Sequence, residues 1–326
     1  MGINERAGGR IAAGLFFLLL PWLTAGCSLL ATPPLPGQAS GPDRVLLADV
    51  PFYSQDAHQC GPAALAMALA WSGELVVPGD LIGQVYTPSK KGSLQSDLVA
   101  AARRHGRLAY PVAGAEALFA EVAAGHPVLV FLNLGLSWYP KYHYAVVIGY
   151  DRSLARMYLH SGTREKEALS YGVFANTWAR TGHWGLLVLP PGRLPAIVDE
   201  QPYVDAVIGL EKSGQWAAAA AAYDAGLRRW PQSLACGLGG GNSRYRLGDL
   251  GGAEAAFREV CRLHPEAGVA WNNLAQVLWE RGAGDEALAA VRRAVTLGGP
   301  LRQDFEATLA IIEEGLAGKL RQPRLR

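Results

Sequence analysis

The 326-residue sequence is poor in cysteine and in net charge. Four cysteines are too few for a small fold held together by disulfides. The formal net charge is only +2, with basic and acidic residues interspersed. Because no basic tract is interleaved with aromatic residues, we expect no nucleic-acid partner. Half of the residues are hydrophobic, so the chain can bury a sizeable core, and its length predicts two domains.

Long hydrophobic runs and metal-ligand spacings are missing as well. The apolar stretch from Ile11 to Leu20 is shorter than the ~20 residues that cross a membrane, and Pro21 interrupts it. No cofactor or metal ion is expected, because the histidines lack a ligand spacing such as His-x-x-x-His. The histidines considered are His58, His143, His160 and His183.

The first 27 residues have the pattern of an export signal, in which two arginines precede the apolar stretch and small residues follow it. The segment Leu23-Thr24-Ala25-Gly26-Cys27 resembles the bacterial lipobox, in which cleavage precedes the cysteine and its thiol is lipidated. This resemblance implies a lipid anchor at Cys27, and Ser28 implies the outer membrane, facing the periplasm. Residues 28–44 are rich in Pro and Gly and are expected to form a tether.

A cysteine at the start of a predicted helix is the centre of the next domain. Cys60 is followed by Gly61-Pro62 and by good helix formers, and proline fits the first turn of a helix. Unpaired N–H groups and the helix dipole at such a position stabilise a thiolate, so we expect a lowered pKa for Cys60. Without a partner, however, a cysteine is often only a small buried hydrophobic residue.

The partner is a histidine that lies far away in the sequence. His143 opens a predicted strand of apolar and β-branched residues, and the segment from Met157 to His160 is the predicted returning strand. A thiol nucleophile with a distant histidine base is the pattern of a cysteine hydrolase. Ser93 is expected to cap a helix that runs to about His105. Helices followed by an antiparallel sheet predict an α+β domain over residues 45–190.

A third group is expected to orient the imidazole of His143. In the predicted hairpin, position 143 pairs with a residue between about 160 and 162. His160 or Ser161 is therefore within reach, whereas Asp151 lies too far along the strand. The choice between His160 and Ser161 stays open on this argument.

Three motifs follow one another in this domain. They are Gln55-x-x-x-x-Cys60-Gly61-Pro62-x-x-Leu65, Gly125-x-Pro127-Val128 and His143-Tyr144-x-Val146-Val147-x-Gly149. Together they resemble the C39-like peptidases of the papain-like cysteine peptidase clan, over about residues 45–190. The resemblance implies Cys60 as nucleophile, His143 as general base, and Gln55 as side-chain oxyanion donor beside the Cys60 N–H. Gln59 is the alternative donor.

One position departs from the family pattern. The family usually has Asp or Asn where this chain has His160. A neutral imidazole can accept a hydrogen bond from His143, but it brings no carboxylate charge to stabilise an imidazolium. His160 is thus either a catalytic orienting residue or a structural one, and Asn133 and Asn176 are further candidates.

Three other side chains near these motifs also have expected positions. His58 is expected at the surface or rim, because a loop residue two positions from Cys60 would rarely point at its thiol. Trp138 and Tyr142 either line a substrate groove or pack beside the strand.

Beyond a Pro-rich linker at residues 191–199, the sequence repeats with a period of 34 residues. This is the tetratricopeptide period. The resemblance covers residues 200–301 as three repeats, with a capping helix and tail over 302–326, and implies binding of a protein partner. We therefore expect a papain-like α+β peptidase domain followed by an all-α tetratricopeptide solenoid. The repeated positions include Gly214, Gly248 and Gly282, and Ala219, Ala253 and Ala287.

The second repeat has two unusual features. Glycines at 237 and 239–241 replace large residues, and because glycine weakens a helix, we expect this helix to be short or kinked. Cys236 and Cys261 lie near ends of the two helices that antiparallel packing brings to one level. They form either a disulfide, which an oxidising compartment permits, or two buried thiols.

These features predict an envelope-anchored thiol peptidase that hydrolyses a peptide or protein substrate and recruits a protein partner through its repeats. Two alternatives remain. One is a catalytically degenerate scaffold lipoprotein that only binds peptide, and the other is an amidase acting on cell-wall peptide.

Overall fold

The computed structural model describes residues 41–55 and 59–321. The predicted signal and lipobox, with Cys27 and Ser28, and the loop residue His58 lie outside the described residues. Among the described residues, no helix combines the length and the apolar character needed to span a membrane.

A seven-stranded antiparallel sheet forms the centre of the N-terminal domain. The strand order is β4–β9–β5–β6–β7–β8, and β1 pairs with the far end of β6. A separate pair, β2 and β3, forms a two-stranded sheet. The strands are β1 (Arg44–Leu46), β2 (Tyr86–Thr87), β3 (Gly92–Ser93), β4 (Leu108–Ala113), β5 (Val128–Asn133), β6 (Tyr142–Asp151), β7 (Arg156–Ser161), β8 (Arg164–Ser170) and β9 (Trp184–Leu189).

Helices cover both faces of this sheet. One hydrophobic core joins the sheet to α1–α3, and a second joins it to α4 and α5. Every residue of α1 from Gly61 to Leu69 is buried, because its small and apolar side chains pack against the sheet on one side and α2 and α3 on the other. The helices are α1 (Cys60–Trp71), α2 (Pro78–Val85), α3 (Gln95–Arg104), α4 (Ala115–Ala123) and α5 (Tyr171–Ala179).

Two local predictions for this domain were wrong. Ser93 was expected to cap α3, but it lies in β3, and the residue that precedes α3 is Leu94. Strand β8 was not predicted at all, because its sequence is dominated by charged residues and lacks apolar alternation. It forms an edge of the sheet, where charged side chains discourage pairing with other molecules.

Seven helices follow the N-terminal domain within the described residues. Helices α6, α8 and α10 begin at residues 200, 234 and 268, which reproduces the 34-residue period. The predicted class, an α+β domain followed by an all-α region, is confirmed. The helices are α6 (Glu200–Lys212), α7 (Trp216–Arg229), α8 (Leu234–Arg246), α9 (Leu250–Leu263), α10 (Gly268–Glu280), α11 (Gly284–Leu297) and α12 (Arg302–Arg321).

The glycine-rich helix of the second repeat is continuous and is not shortened. Helix α8 has 13 residues, the same number as α6 and α10. Its glycines allow close packing: a methyl group at Gly239 would overlap the ring of Tyr223, and one at Gly241 would lie 2.5 Å from the ring of Phe257. Tertiary packing therefore outweighs the weak helix propensity of glycine here.

The two cysteines of this repeat, Cys236 and Cys261, are free and buried, so the buried-thiol alternative is the one that the structure shows.

The segment between the two regions is attached to the sheet domain. The backbone N–H groups of Ala196 and Ile197 donate hydrogen bonds to the buried carboxylate of Glu121, which also lies 2.7 Å from His126. Helix α6 packs against β4, and Tyr203 belongs to the same hydrophobic core as the sheet. The first repeat is therefore packed directly onto the N-terminal domain.

Candidate active site

Cys60 is the first residue of α1, as its sequence predicts. Gly61 follows at a point where only glycine fits, because a methyl group there would overlap the side chain of Ser93. The side chain of Gln59, which precedes the helix, makes no capping hydrogen bond. The Gly-Pro pair thus starts the helix and brings its first turn against β3.

Cys60, His143 and Gln55 line one cavity of about 740 Å³. The three residues come from different parts of the chain: the loop before α1, the start of α1, and the start of β6. One wall of the cavity is the segment Lys90–Gln95, and Phe131 and Tyr142 also line the cavity.

Gln55 presents an unused donor in this cavity. Its side-chain nitrogen Nε2 is buried and has no hydrogen-bond partner within the part of the chain that the structure describes. Its backbone is held in place, because its N–H donates to the carbonyl oxygen of Gly162 at 3.1 Å. A buried donor without a partner costs about 1–3 kcal/mol, so its presence here favours a role in binding a developing negative charge.

The Cys60 thiol differs from our expectation in its acidity. Burial raises the pKa of Cys60 above its ordinary value, although backbone N–H groups of Tyr144, Gly61 and Cys60 itself act in the opposite direction. The helix N-terminus was expected to lower the pKa, but desolvation of the thiolate outweighs it. The contact with the Tyr144 backbone places the sulfur beside the strand residue that follows His143.

His143 lies near the start of β6, opposite Leu132 of β5. Its Nε2 is 3.1 Å from Ser161 Oγ. Burial lowers the pKa of His143, and the negative charge of Glu167 on β8 partly opposes this. Near neutral pH the site therefore holds a neutral thiol and a neutral imidazole.

His160 does not orient His143, contrary to its prediction as a catalytic residue. It lies opposite Val146 and is fully buried. Its Nε2 lies 3.1 Å from the Val50 carbonyl oxygen, and its Nδ1 accepts a hydrogen bond from the Lys166 N–H. Because both ring nitrogens are engaged elsewhere, His160 has a structural role that ties β7 to the segment before α1.

The other candidates for orienting His143 are also placed elsewhere. Asp151 lies at the opposite end of β6, where its carboxylate accepts hydrogen bonds from Ser153 and Leu154. Asn133 uses its side-chain oxygen to accept from the N–H groups of Gly135 and Lys141. Asn176 lies in α5. Ser161, the second of the two residues that hairpin register allowed, makes the contact with His143.

The connection between β5 and β6 forms an exposed aromatic tip beside the cavity. Trp138 is 80% exposed and Tyr142 is 61% exposed. The backbone of this connection is held firmly, since Leu136 and Tyr139 form a bridge and Arg180 donates to the carbonyl of Gly135 at 2.8 Å. Of the two aromatic residues singled out in the sequence, Tyr142 lines the cavity, and its ring stacks on that of Phe131 at 5.1 Å.

Sequence reasoning missed one side of the cavity entirely. The wall from Lys90 to Gln95 carries no recognised motif, and Ser93 was interpreted as a helix cap. Glu167 was missed together with β8. The one signal in the sequence was Lys90-Lys91-Gly92, which lies between two predicted helices and is typical of a loop.

The family comparisons agree with this division of the chain. Residues 47–185 match the model of the Peptidase_C39 like family, and residues 238–300 match a model described as Tetratricopeptide repeat. Among curated proteins, no sequence matches this chain. The N-terminal domain therefore has a C39-like peptidase fold, and the helical region contains tetratricopeptide repeats, which are protein-interaction modules.

Several solved structures resemble one of the two regions. One from Bacillus anthracis, described as a C39-like peptidase, is 20% identical, covers 44% of this chain and 96% of its own, and has a TM-score of 0.38. The Yersinia enterocolitica type III secretion chaperone SycD, in complex with a peptide of the translocator YopD, is 17% identical. The match covers 35% of this chain and 91% of SycD, with a TM-score of 0.33. The first TPR of Spaghetti (RPAP3), bound to an HSP90 peptide, is 20% identical. The match covers 37% of this chain and 97% of that structure's chain, with a TM-score of 0.35.

Proposed function

Because residues 47–185 form a domain of the C39-like peptidase family, we propose that this protein is a thiol peptidase that hydrolyses peptide bonds with Cys60 as nucleophile and His143 as base. The observation that carries the proposal is the cavity itself. A thiol, an imidazole and a buried, unpartnered amide donor line it together. These are the three groups that acyl transfer through a thioester requires.

The chemistry begins with both groups neutral. As the substrate carbonyl approaches, the thiol proton of Cys60 moves to His143, and the sulfur attacks the carbonyl carbon. The oxygen gains negative charge, which Gln55 Nε2–H and the backbone N–H of Cys60 stabilise. His143 then gives its proton to the leaving amine as the C–N bond breaks, leaving a thioester on Cys60. Water, deprotonated by His143, hydrolyses the thioester and restores the thiol.

The contact with Ser161 fixes the tautomer of His143 that can accept the thiol proton. If His143 Nε2–H donates to Ser161 Oγ, Nδ1 is left with a lone pair that accepts the thiol proton. A hydroxyl fixes this tautomer but supplies no negative charge. The imidazolium that forms during the reaction is therefore stabilised mainly by Glu167, the charge that acts on His143.

We further propose that the protein works in the bacterial envelope, anchored through lipid on Cys27. The signal pattern and lipobox in the first 27 residues support this location. The tetratricopeptide repeats would bring a protein partner or substrate to the anchored peptidase. Cys27→Ala in the full-length chain should abolish incorporation of a fatty-acid probe and release the protein from the membrane fraction, and unchanged fractionation would contradict the anchor.

The activity is tested with a mixture of peptides of random sequence, incubated with the full chain and analysed by mass spectrometry. New peptide termini should appear with the wild-type protein and disappear with Cys60→Ala. The Cys236→Ala variant is the matched control, since it also removes a buried free thiol and should retain activity. Equal cleavage by wild type and Cys60→Ala would overturn the proposal.

A peptide-binding scaffold without activity is the second candidate. Two observations favour it: the raised pKa of Cys60, and the contact of His143 with a hydroxyl, that of Ser161, instead of a carboxylate or amide. The same experiment separates the two functions. A scaffold would bind peptides from the mixture, detected by co-elution with the protein, and would leave all of them intact.

A further inference from the structure

The wall of the cavity that contains Lys90 and Lys91 has an unusual composition. It begins at a single turn of 3₁₀ helix over Pro88–Lys90, passes through Lys91 in the left-handed conformation (φ 49°) and ends in the short strand β3. Lys90, Lys91 and Ser93 all line the same cavity as Cys60. The wall therefore brings two ammonium groups and a hydroxyl to the candidate site.

Neither lysine has an anionic partner among the described residues. The ion pairs of the described residues include neither Lys90 nor Lys91. None of the described residues that line the cavity is acidic. The carboxylate next to this wall in the sequence, Asp97, instead faces Thr87 at 3.5 Å. Two positive charges at a cavity without a counter-charge attract anionic ligands.

Ser93 adds an independent observation that also points to a ligand. Its Oγ is buried and has no hydrogen-bond partner among the described residues, and its side chain packs against Gly61 at the start of α1. Its own carbonyl oxygen accepts a hydrogen bond from the Tyr144 hydroxyl at 3.1 Å. That bond fixes the backbone of Ser93, so the hydroxyl is held in place with its hydrogen-bonding capacity unused. A buried hydroxyl normally finds a partner within the protein.

Another part of the cavity lining is aromatic. Phe131 and Tyr142 stack on each other there, and the exposed Trp138 extends the aromatic surface away from the cavity. The lining around Cys60 therefore combines cationic side chains with aromatic rings.

We propose that Lys90, Lys91 and Ser93 form a subsite for a carboxylate of the peptide substrate, and that Phe131 and Tyr142 hold an apolar side chain on the other side of the scissile bond. This inference rests on the proposed peptidase function and names its substrate class. The carboxylate belongs either to an Asp or Glu side chain or to the free C-terminus of a peptide. Both present the same two oxygens to the lysines and to the Ser93 hydroxyl.

Binding is measured first, with the full chain carrying Cys60→Ala, so that the result does not depend on turnover. Three fluorescein-labelled peptides share a leucine-containing core: one has a Glu and an amidated C-terminus, one has Gln in place of Glu and is amidated, and one has Gln and a free C-terminal carboxylate. Fluorescence anisotropy gives the affinities. At least one carboxylate peptide should bind about 5- to 20-fold more tightly than the neutral peptide, the scale that two exposed charge contacts produce.

Two sets of variants in the same background assign that preference to the wall. Lys90→Gln with Lys91→Gln should bring the affinity for the carboxylate peptide close to that for the neutral peptide, whereas Lys141→Gln with Lys212→Gln removes the same charge elsewhere and should leave the preference intact. Ser93→Ala should reduce the preference about 3-fold at most and leave neutral-peptide binding unchanged. Raising the salt concentration should weaken binding of the carboxylate peptide alone.

Equal affinities for all three peptides, or a preference that survives Lys90→Gln with Lys91→Gln, would overturn the subsite. Loss of binding to phosphatidylglycerol vesicles in that variant, without any change in peptide affinity, would also overturn it and assign the lysines to a membrane surface. The proposed peptidase function is judged separately: cleavage of neutral peptides by wild-type protein that is lost in Cys60→Ala would uphold it even if the subsite fails.

Discussion

The cavity of the N-terminal domain and the core of the helical repeats both contain free thiols, half-buried for Cys60 and fully buried for Cys236 and Cys261, and desolvation raises the pKa of each of them. Cys60 in the cavity and Cys236 in α8 are both shifted upward, and the pKa of Cys261 in α9 is raised to about 12. Acidity therefore does not distinguish the candidate nucleophile from the structural thiols. What differs is the surroundings.

Cys60 opens onto a cavity that also contains His143 and the unpartnered amide of Gln55. Cys236 is instead enclosed by packed side chains, with the ring of Tyr203 nearby and the Ser233 hydroxyl accepting a hydrogen bond from its backbone N–H. A thiol can act as a nucleophile only where a base accepts its proton and a hydrogen-bond donor stabilises the negative charge that forms on the substrate oxygen. The comparison teaches that function must be inferred from neighbours and access rather than from the cysteine.

The largest effect that this comparison predicts concerns the thiols themselves. Cys60→Ala should lower kcat/KM for peptide hydrolysis by at least about 10³-fold, because no other group replaces the nucleophile. Cys236→Ala and Cys261→Ala should change it less than about 2-fold while lowering the thermal midpoint by a few degrees. Initial rates and thermal melts on all three variants check this. Activity that depends equally on Cys236 would break the distinction between the two regions.

The next effect concerns the unpartnered donor. Gln55→Ala should lower kcat by about 10²-fold or more, since an oxyanion donor contributes about 3 kcal/mol in the transition state. Gln59→Ala removes the neighbouring candidate and should have a much smaller effect. The KM of Gln55→Ala should remain nearly constant, which distinguishes a transition-state donor from a residue that merely binds substrate. Equal losses in both variants would mean that Gln55 supports the loop rather than the oxyanion.

A smaller effect is expected at Ser161. Ser161→Ala leaves Nε2 of His143 without its partner and should reduce kcat/KM about 10-fold through loss of orientation. Ser161→Asp places a carboxylate beside the imidazole, so it should raise the pKa of His143 and move the acidic limb of the pH–rate profile to higher pH. Rates measured between pH 5 and 8 for both variants test the contact. An acidic limb that stays in place in Ser161→Asp would show that Ser161 does not face the imidazole.

The smallest effect on activity belongs to the repeat region, where packing is tight. Gly239→Ala adds a methyl group against the Tyr223 ring and should lower the free energy of unfolding by about 1–3 kcal/mol, although alanine favours helices. Gly251→Ala in α9 meets only open space beside Asp249 and should be neutral or stabilising by up to ~1 kcal/mol. Hydrolysis should be unchanged in both. Denaturant unfolding measures the difference, and a stabilised Gly239→Ala would contradict the packing account.

The same contrast explains what the sequence could and could not predict. The helix that begins at Cys60 and the strand that carries His143 could be predicted, because Gly-Pro is typical of a helix N-terminus and a β-branched run is typical of a strand. The 34-residue period was readable for a similar reason, since each repeat preserves one local pattern. Local signals, however, overestimated the cost of glycine in α8, where neighbouring aromatic rings need the space.

The register of strand pairing around His143 could not be predicted from such local patterns. The pairing of β6 with β7 shifts between Val147 and Gly149, and beyond this shift His160 lies opposite Val146. Because neighbouring residues of a strand point to opposite faces of the sheet, Ser161 rather than His160 then shares a face with His143. No residue pattern announces such a shift. The lysine wall was missed because it depends on a tertiary contact between β3 and the start of α1.

The most direct test of the central claim is site-resolved alkylation of the native protein by iodoacetamide, followed by mass spectrometry, between pH 5 and 10. If Cys60 shares its proton with His143, its rate should show a plateau bounded by a lower limb below the ordinary histidine value of 6.5 and an upper limb above the ordinary thiol value of 9.0. The plateau should vanish in His143→Ala, and Cys236 and Cys261 should stay unreactive. A single alkaline titration of Cys60 that is identical in wild type and His143→Ala would contradict the account.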